Sequence, residues 1–267
     1  MKVPPQPVPH PGPLPPQTGP VQPLATGHPS SAVPGGSGDP APSVGAEANP
    51  LRSDAPPVST ADFKGLDLSD QVKVAEAEIS KDATTFRSNA EAEQYGGDHW
   101  NAYAEQLPEE QRKAVYDYTC EPSATDEPTY HELNGYLRSG KGETPEVLQH
   151  IAEIDRALAG SPTMEPVVVS RGTDLYHIPM DPSLMAGKTF TETAFTSSSL
   201  GSAAFPDKQA ILRLRVPEGT PALWVEKVSA YGMGERELLL GRGLNWRADR
   251  VFLDDNGQWQ IYGEIVP

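Results

Sequence analysis

Two glutamates, Glu235 and Glu237, stand two residues apart at the end of a glycine-containing loop, Tyr231-Gly-Met-Gly-Glu235-Arg236-Glu237. A wholly apolar run, Leu238-Leu239-Leu240, follows and reads as a buried strand. On a strand, residues i and i+2 share a face, so both carboxylates are predicted to point into one cleft. Two such groups are equipment for moving a proton and for stabilising a cation. The plainer alternative is a solvated turn that happens to carry two acids, and what lies upstream decides between them. Two other polar features close predicted strands: Arg171, after Val167-Val168-Val169-Ser170, and the triplet Ser197-Ser198-Ser199. Alone, each reads as an ordinary surface or turn residue.

The elements that must position these groups change character along the chain. From about residue 60 to 160 the pattern is helical. Ser69 is a predicted cap for a helix carrying Val72, Ala75, Ala77 and Ile79, and Tyr95 to Leu107 forms a second. Pro108 opens a third at its first position, with Glu109 and Glu110 complementing the helix N-terminus. Thr129-x-x-Glu132 is a capping-box pattern for a helix through Leu137. Thr144-Pro145 opens another, with Val147, Leu148, Ile151, Ile154 and Leu158 on one face and Gly160 as its stop. After Gly160 the pattern turns to strands: Val167–Val169, Thr189–Phe195 with the serine triplet after it, Ile211–Val216, Leu223–Val225, Leu238–Leu240, Val251–Leu253 and Trp259–Ile265. The last two flank Asp254-Asp-Asn-Gly257, a hairpin signal without calcium-loop spacing. Helices first and strands after predict an α+β domain over residues 59–267, helical to about 160 and β-rich from 161.

Residues 1–58 hold 17 of the 29 prolines, few aliphatics and no aromatic residue. Such a segment buries too little apolar area to offset its ordering entropy, so it is expected to be a disordered Pro-rich tail or linker. The chain carries a formal net charge of −16, nearly all of it on residues 59–267. An acidic body repels phosphate backbones and anionic lipid, which argues against nucleic-acid and membrane-surface partners and favours a basic protein. Cys120 is the single cysteine and the six histidines form no H-x-x-x-H pair, so neither an intramolecular disulfide nor a metal is expected. No apolar run approaches 18 residues, so no membrane span is expected, and no classical signal peptide is visible.

In this order, the features resemble the toxin-type mono-ADP-ribosyltransferases with an Arg, Ser-Thr-Ser and Glu-x-Glu signature, and among them the enzymatic components of clostridial actin-modifying binary toxins. Leu133-Asn134-Gly-Tyr136-Leu137-Arg138 resembles the family's I-N-x-Y-L-R helix, and Ser170-Arg171-Gly172 its NAD-binding arginine strand. Phe195-Thr-Ser197-Ser198-Ser199-Leu200 resembles F-x-S-T-S-L. Ala204-Phe205 and Ile211-Leu-Arg-Leu-Arg-Val-Pro-Glu-Gly219 resemble the segment that follows, and Gly234-Glu-Arg-Glu-Leu-Leu-Leu240 resembles G-E-x-E-x-L-L. The motifs run from Leu133 to Leu240. The departures are Ser198 for Thr, a shorter Ser197-to-Phe205 interval, and Met233 where the toxins often carry an aromatic.

The resemblance implies a helical half packed on a mixed or antiparallel, β-sandwich-like NAD-binding core. It implies NAD⁺ as co-substrate without a metal, with Arg171 on the pyrophosphate. Glu237 would stabilise the developing ribosyl cation, as in glycoside hydrolysis, and Ser197 would hold Glu237. Phe205 and Gly172 would meet nicotinamide, and Tyr118 and Asn134 would line the same cleft. Glu235 would act on the acceptor, with Tyr231 and Met233 meeting the target protein. Glutamate at the first acidic position accompanies arginine modification in the family. The expected protein is therefore a bacterial effector acting in a target cell's cytosol on a protein arginine, with an immunity or delivery partner compatible. An NAD⁺ glycohydrolase and a non-enzymatic binding module are the competing expectations.

Overall fold

Side-chain caps set most of the helix starts. The structure is a computed structural model that describes residues 58–175, 178 and 180–267, and of Met233 and Gly234 the backbone alone. The Pro-rich tail therefore lies outside the described residues, save Val58. Ser59 caps α1 (Thr60–Lys64), Asp67 caps α2 (Leu68–Ile79) and Ser88 caps α3 (Asn89–Glu105). Pro108 precedes α4 (Glu109–Thr119) as its cap residue rather than its first helical one. The capping box at Thr129 opens α5 (Tyr130–Ser139), and Thr144 caps α6 (Pro145–Ala159). The cap predicted at Ser69 falls to Asp67, whose carboxylate accepts the Asp70 N–H at 2.9 Å.

Helix α3 starts at Asn89, six residues before its predicted position, and there the Ser88 hydroxyl accepts the Glu91 N–H at 3.2 Å. Gly96 is a packing glycine: a Cβ there would stand 2.5 Å from the ring of Trp224, which is fully buried. Gly96→Ala is therefore expected to destabilise the protein by about 1–3 kcal/mol, the usual cost of overpacking. A lowered midpoint in urea with an unchanged slope would show this.

The strands are β1 (Val167–Thr173), β2 (Thr189–Glu192), β3 (Thr196–Leu200), β4 (Ala210–Val216), β5 (Ala222–Trp224), β6 (Glu237–Leu240), β7 (Leu244–Leu253) and β8 (Trp259–Val266). Their hydrogen-bonded order is β2-β7-β8-β4-β1-β3-β6-β5, antiparallel throughout except for parallel β4 and β8. The protein is α+β, with an N-terminal helical half and a C-terminal mixed sheet. Gly257 (φ +76°) closes the β7–β8 hairpin as its Asn-Gly signal predicts, while β7 begins seven residues earlier than expected. The predicted strand 189–195 is cut short because side chains take its backbone donors. Ala194 N–H donates to Glu192 Oε1 (3.0 Å) and Phe195 N–H to Asn134 Oδ1 (3.2 Å). The chain thus leaves β7 and re-enters the sheet as β3.

One large core joins α3–α6 to the sheet through Trp100, Leu133, Ile154, Leu158, Trp224 and Leu238–Leu240, all at most 2% exposed. A fully buried aliphatic side chain contributes roughly 1.5–3 kcal/mol of transfer free energy, so these rows anchor the strand that carries Glu237. A second cluster packs Phe63, Ala75 and Ile79 on Phe252 and Tyr262. Arg250 locks this cluster with a fork onto Glu78, both bonds 2.7 Å, while lying 4.8 Å from the Phe63 ring centre.

Candidate active site

The middle of the sheet parts where the predicted site residues meet. β1 pairs with β4 along its whole length, but with β3 only at Val169–Leu200 and Ser170–Ser199. From Arg171 onward β1 therefore has no ladder to β3, and the two strands diverge. Arg171 lies inside β1, two residues before its end rather than at it. Its Nη1 reaches across the divergence and donates to the Ser197 carbonyl. A cavity lined by Arg171, Thr173, Glu192 and Thr196 opens beside it.

On the other side β3 is fastened to β6. Ser197 pairs with Leu239, Ser199 with Glu237, and the buried Ser198 hydroxyl donates to the Leu238 carbonyl at 2.7 Å. The central serine of the triplet is thus a strand fastener. Glu237, 8% exposed, opens β6. Burial pushes its carboxyl up to about 7, the Glu235 charge adds to this, and a hydrogen bond from Ser197 with the Arg171 charge oppose it.

Glu235 and Glu237 do not share a strand face. Glu235 ends a 3-10 turn (Gly232–Glu235), and Arg236 is left-handed at φ +49°. This conformation is uncommon for a non-glycine residue, and its carbonyl is fixed by the Leu200 N–H at 3.0 Å. The carboxylates still meet electrostatically. Glu235 is half-buried, and burial followed by the Glu121 charge raises its pKa.

Tyr118 and Asn134 form the layer beneath. Asn134 Nδ2 donates to the Tyr118 hydroxyl at 3.0 Å, and Tyr118 hydrogen-bonds Ser197. Burial, with the Glu237 charge, pushes Tyr118 up to about 12, so it stays a neutral phenol. Tyr118 is 2% exposed and Asn134 is buried, so they hold Ser197 and Phe195 rather than offering an open ligand surface. Gly172 is needed for a reason not read from sequence: a Cβ there would fall 1.7 Å from the Phe205 carbonyl oxygen. The Phe205 main chain thus docks on β1, leaving its side chain 54% exposed. Tyr231 is exposed at the start of the 3-10 turn, and the Met233 side chain lies outside the described residues.

Sequence reasoning assigned no role to Arg138 or Glu192. Arg138 Nε and Nη2 grip Glu192 at 3.1 and 3.2 Å, and both residues influence Arg171 electrostatically. Burial, ahead of these charges, draws the Arg171 guanidinium below its usual range, though a guanidinium remains protonated in proteins. Two cations thus lie near one another. Arg138 stood in the helix motif, whereas nothing local marked Glu192, 54 residues away. Away from the site, Asp117, Glu127 and His150 converge, with Lys113 Nζ at 2.6 and 2.9 Å from the two carboxylates. Lys113 bridges Asp117 and Glu127.

Solved structures of ADP-ribosylating toxins share this architecture. The chain resembles the C3 exoenzyme of Clostridium limosum (TM-score 0.61, 21% identity, covering 71% of this chain and all of that one). It also resembles Plx2a, an ADP-ribosyltransferase toxin from Paenibacillus larvae (0.58, 23%, covering 67% and 96%). The enzymatic component C2-I of the Clostridium botulinum C2 toxin is a further match (0.54, 21%, covering 64% of this chain and 47% of that one). The fold is therefore that of the ADP-ribosyltransferase toxins. Residues 92–263 match the ADP-ribosyltransferase exoenzyme family, and the chain belongs to that family. No curated protein sequence matches it.

Proposed function

We propose that the protein cleaves NAD⁺ at its nicotinamide ribosyl bond and transfers the ADP-ribose to an arginine side chain of a target protein. The observation that carries this reading is the Glu237 carboxyl, buried where β6 begins, tied to Ser197 and facing the charges of Glu235 and Arg171. Arg171, with Arg138 nearby, binds the pyrophosphate; Arg presents a planar fork that matches phosphate oxygens. As the C1′–N bond breaks, its electron pair leaves with nicotinamide, and ionised Glu237 stabilises the ribosyl cation. A guanidinium nitrogen of the acceptor then bonds to C1′, and Glu235 accepts the proton it releases. Tyr118 and Asn134 position Ser197, which positions Glu237. Phe205 and Gly172 border the nicotinamide end, and the turn that carries Tyr231 and Met233 is the part assigned to meeting the target protein.

Residues 59–267 would constitute the transferase domain and the Pro-rich segment a linker. The family supports an effector delivered into a target cell, where it meets its protein substrate. Among the described residues no helix is long and apolar enough to cross a membrane. The test is incubation of adenylate-labelled NAD⁺ with a cell extract: label in protein bands is expected. Free labelled ADP-ribose with no labelled band would instead make it a glycohydrolase.

Arg171→Lys keeps the charge but loses the fork, and is expected to raise KM for NAD⁺ by roughly tenfold or more. Initial rates of nicotinamide release against NAD⁺ concentration check this.

A further inference from the structure

The loop that carries Glu235 is fastened to the end of α4. The Ala230 N–H donates to Thr119 Oγ1 at 2.9 Å, and that buried hydroxyl in turn donates to the Tyr116 carbonyl at 2.8 Å. Beyond this junction Tyr231 comes under the influence of Glu121: burial, then the Glu121 carboxylate, raises the Tyr231 phenol. Tyr130, the first residue of α5, stands edge-on to Tyr118 with ring centres 6.5 Å apart. It lies within electrostatic range of Glu121, Glu132 and Glu235. Glu121, Tyr130 and Tyr231 are exposed, and Glu235 is the half-buried member of the group. The one cation felt by Tyr130, Lys208, is engaged by Asp174 at 2.9 Å. Next to the cleft lies an acidic patch edged by two tyrosines.

We propose that Glu121 is an acceptor-recognition residue: with Glu235 it holds the guanidinium of the incoming arginine between two carboxylates, while Tyr130 and Tyr231 offer ring surface. This rests on the arginine-directed reading above and adds a specificity determinant to it. A guanidinium has five donors in a plane and no acceptor, so it can bridge two carboxylates at once. Its face also favours tyrosine rings. The arrangement has a further consequence. Burial, and after it the charge of Glu121, favours the protonated form of Glu235, and a bound guanidinium opposes that bias, so an acceptor in place favours the carboxylate that takes up a proton.

The test is steady-state transfer to agmatine, a free guanidine, at saturating NAD⁺. Glu121→Gln is expected to raise KM for agmatine roughly tenfold or more, the loss of one charge-assisted contact, with kcat lowered by no more than about twofold. Glu105→Gln, which removes the same charge from exposed α3, is expected to leave both constants unchanged. Tyr231→Ala removes one of the two rings, and should raise the same KM by a few-fold. Unchanged KM for agmatine in Glu121→Gln overturns the proposal, as does a fall in kcat and melting temperature with KM unmoved. If the wild-type protein consumes NAD⁺ but forms no agmatine adduct, the arginine-directed reading fails. If the adduct forms equally well in wild type and Glu121→Gln, only the present inference fails.

Discussion

Glu237→Gln is expected to lower nicotinamide release from NAD⁺ by about 10²–10⁴-fold, the range spanned by removal of one preorganised catalytic charge or proton-transfer group. Glutamine keeps the size and the hydrogen bond to Ser197 but cannot carry the negative charge that meets the ribosyl cation. The same substitution is expected to raise stability above neutral pH. The Glu237 pKa stands near 7 in the folded protein, above the ordinary carboxylate value. Between those two values the native state keeps a proton that the unfolded chain releases, so stability falls as pH rises through that window. Glutamine removes this penalty. Loss of activity together with a higher melting temperature at pH 8 would separate chemistry from misfolding. In the wild type, kcat/KM for NAD⁺ should rise with pH through about 7 as Glu237 ionises.

The second large effect is a division of the reaction. Glu235→Gln is expected to lose transfer to arginine by about 10²-fold or more, while nicotinamide release stays within a few-fold of wild type. Glu235 ends the 3-10 turn, on the opposite side of left-handed Arg236 from the strand carrying Glu237, and shares its surroundings with Glu121, Tyr130 and Tyr231. It therefore serves the incoming nucleophile rather than the departing nicotinamide. Parallel assays of nicotinamide and of labelled agmatine check the division. Equal loss of both products would place Glu235 in bond cleavage and would contradict its assigned part.

What the sequence made legible is local. The Thr129 capping box, the Thr144-Pro145 start and the Asn-Gly hairpin each depend on a few consecutive residues, and each stands where its chemistry predicts. Features set by distant partners were hidden. Gly96 carries no packing signal until Trp224 is seen filling the missing Cβ position. The division of Thr189–Phe195 depends on Asn134, which takes the Phe195 N–H from another layer. At the site, Arg171, Ser197, Glu235 and Glu237 were legible as types in an order. That Glu235 leaves the strand through a left-handed residue was not, because alternation alone predicts a shared face. Glu121 carried no signal, since its importance comes from a bond between Thr119 and Ala230, 111 residues apart.

The most direct measurement is mass spectrometry of agmatine after incubation with the wild-type protein and NAD⁺. A mono-ADP-ribosyl adduct on the guanidine, with one nicotinamide released for each adduct, is the expected result. NAD⁺ consumed to free ADP-ribose with agmatine unmodified would contradict the assignment of Glu235 to an arginine acceptor. Undiminished NAD⁺ would contradict the assignment of Glu237 to its cleavage.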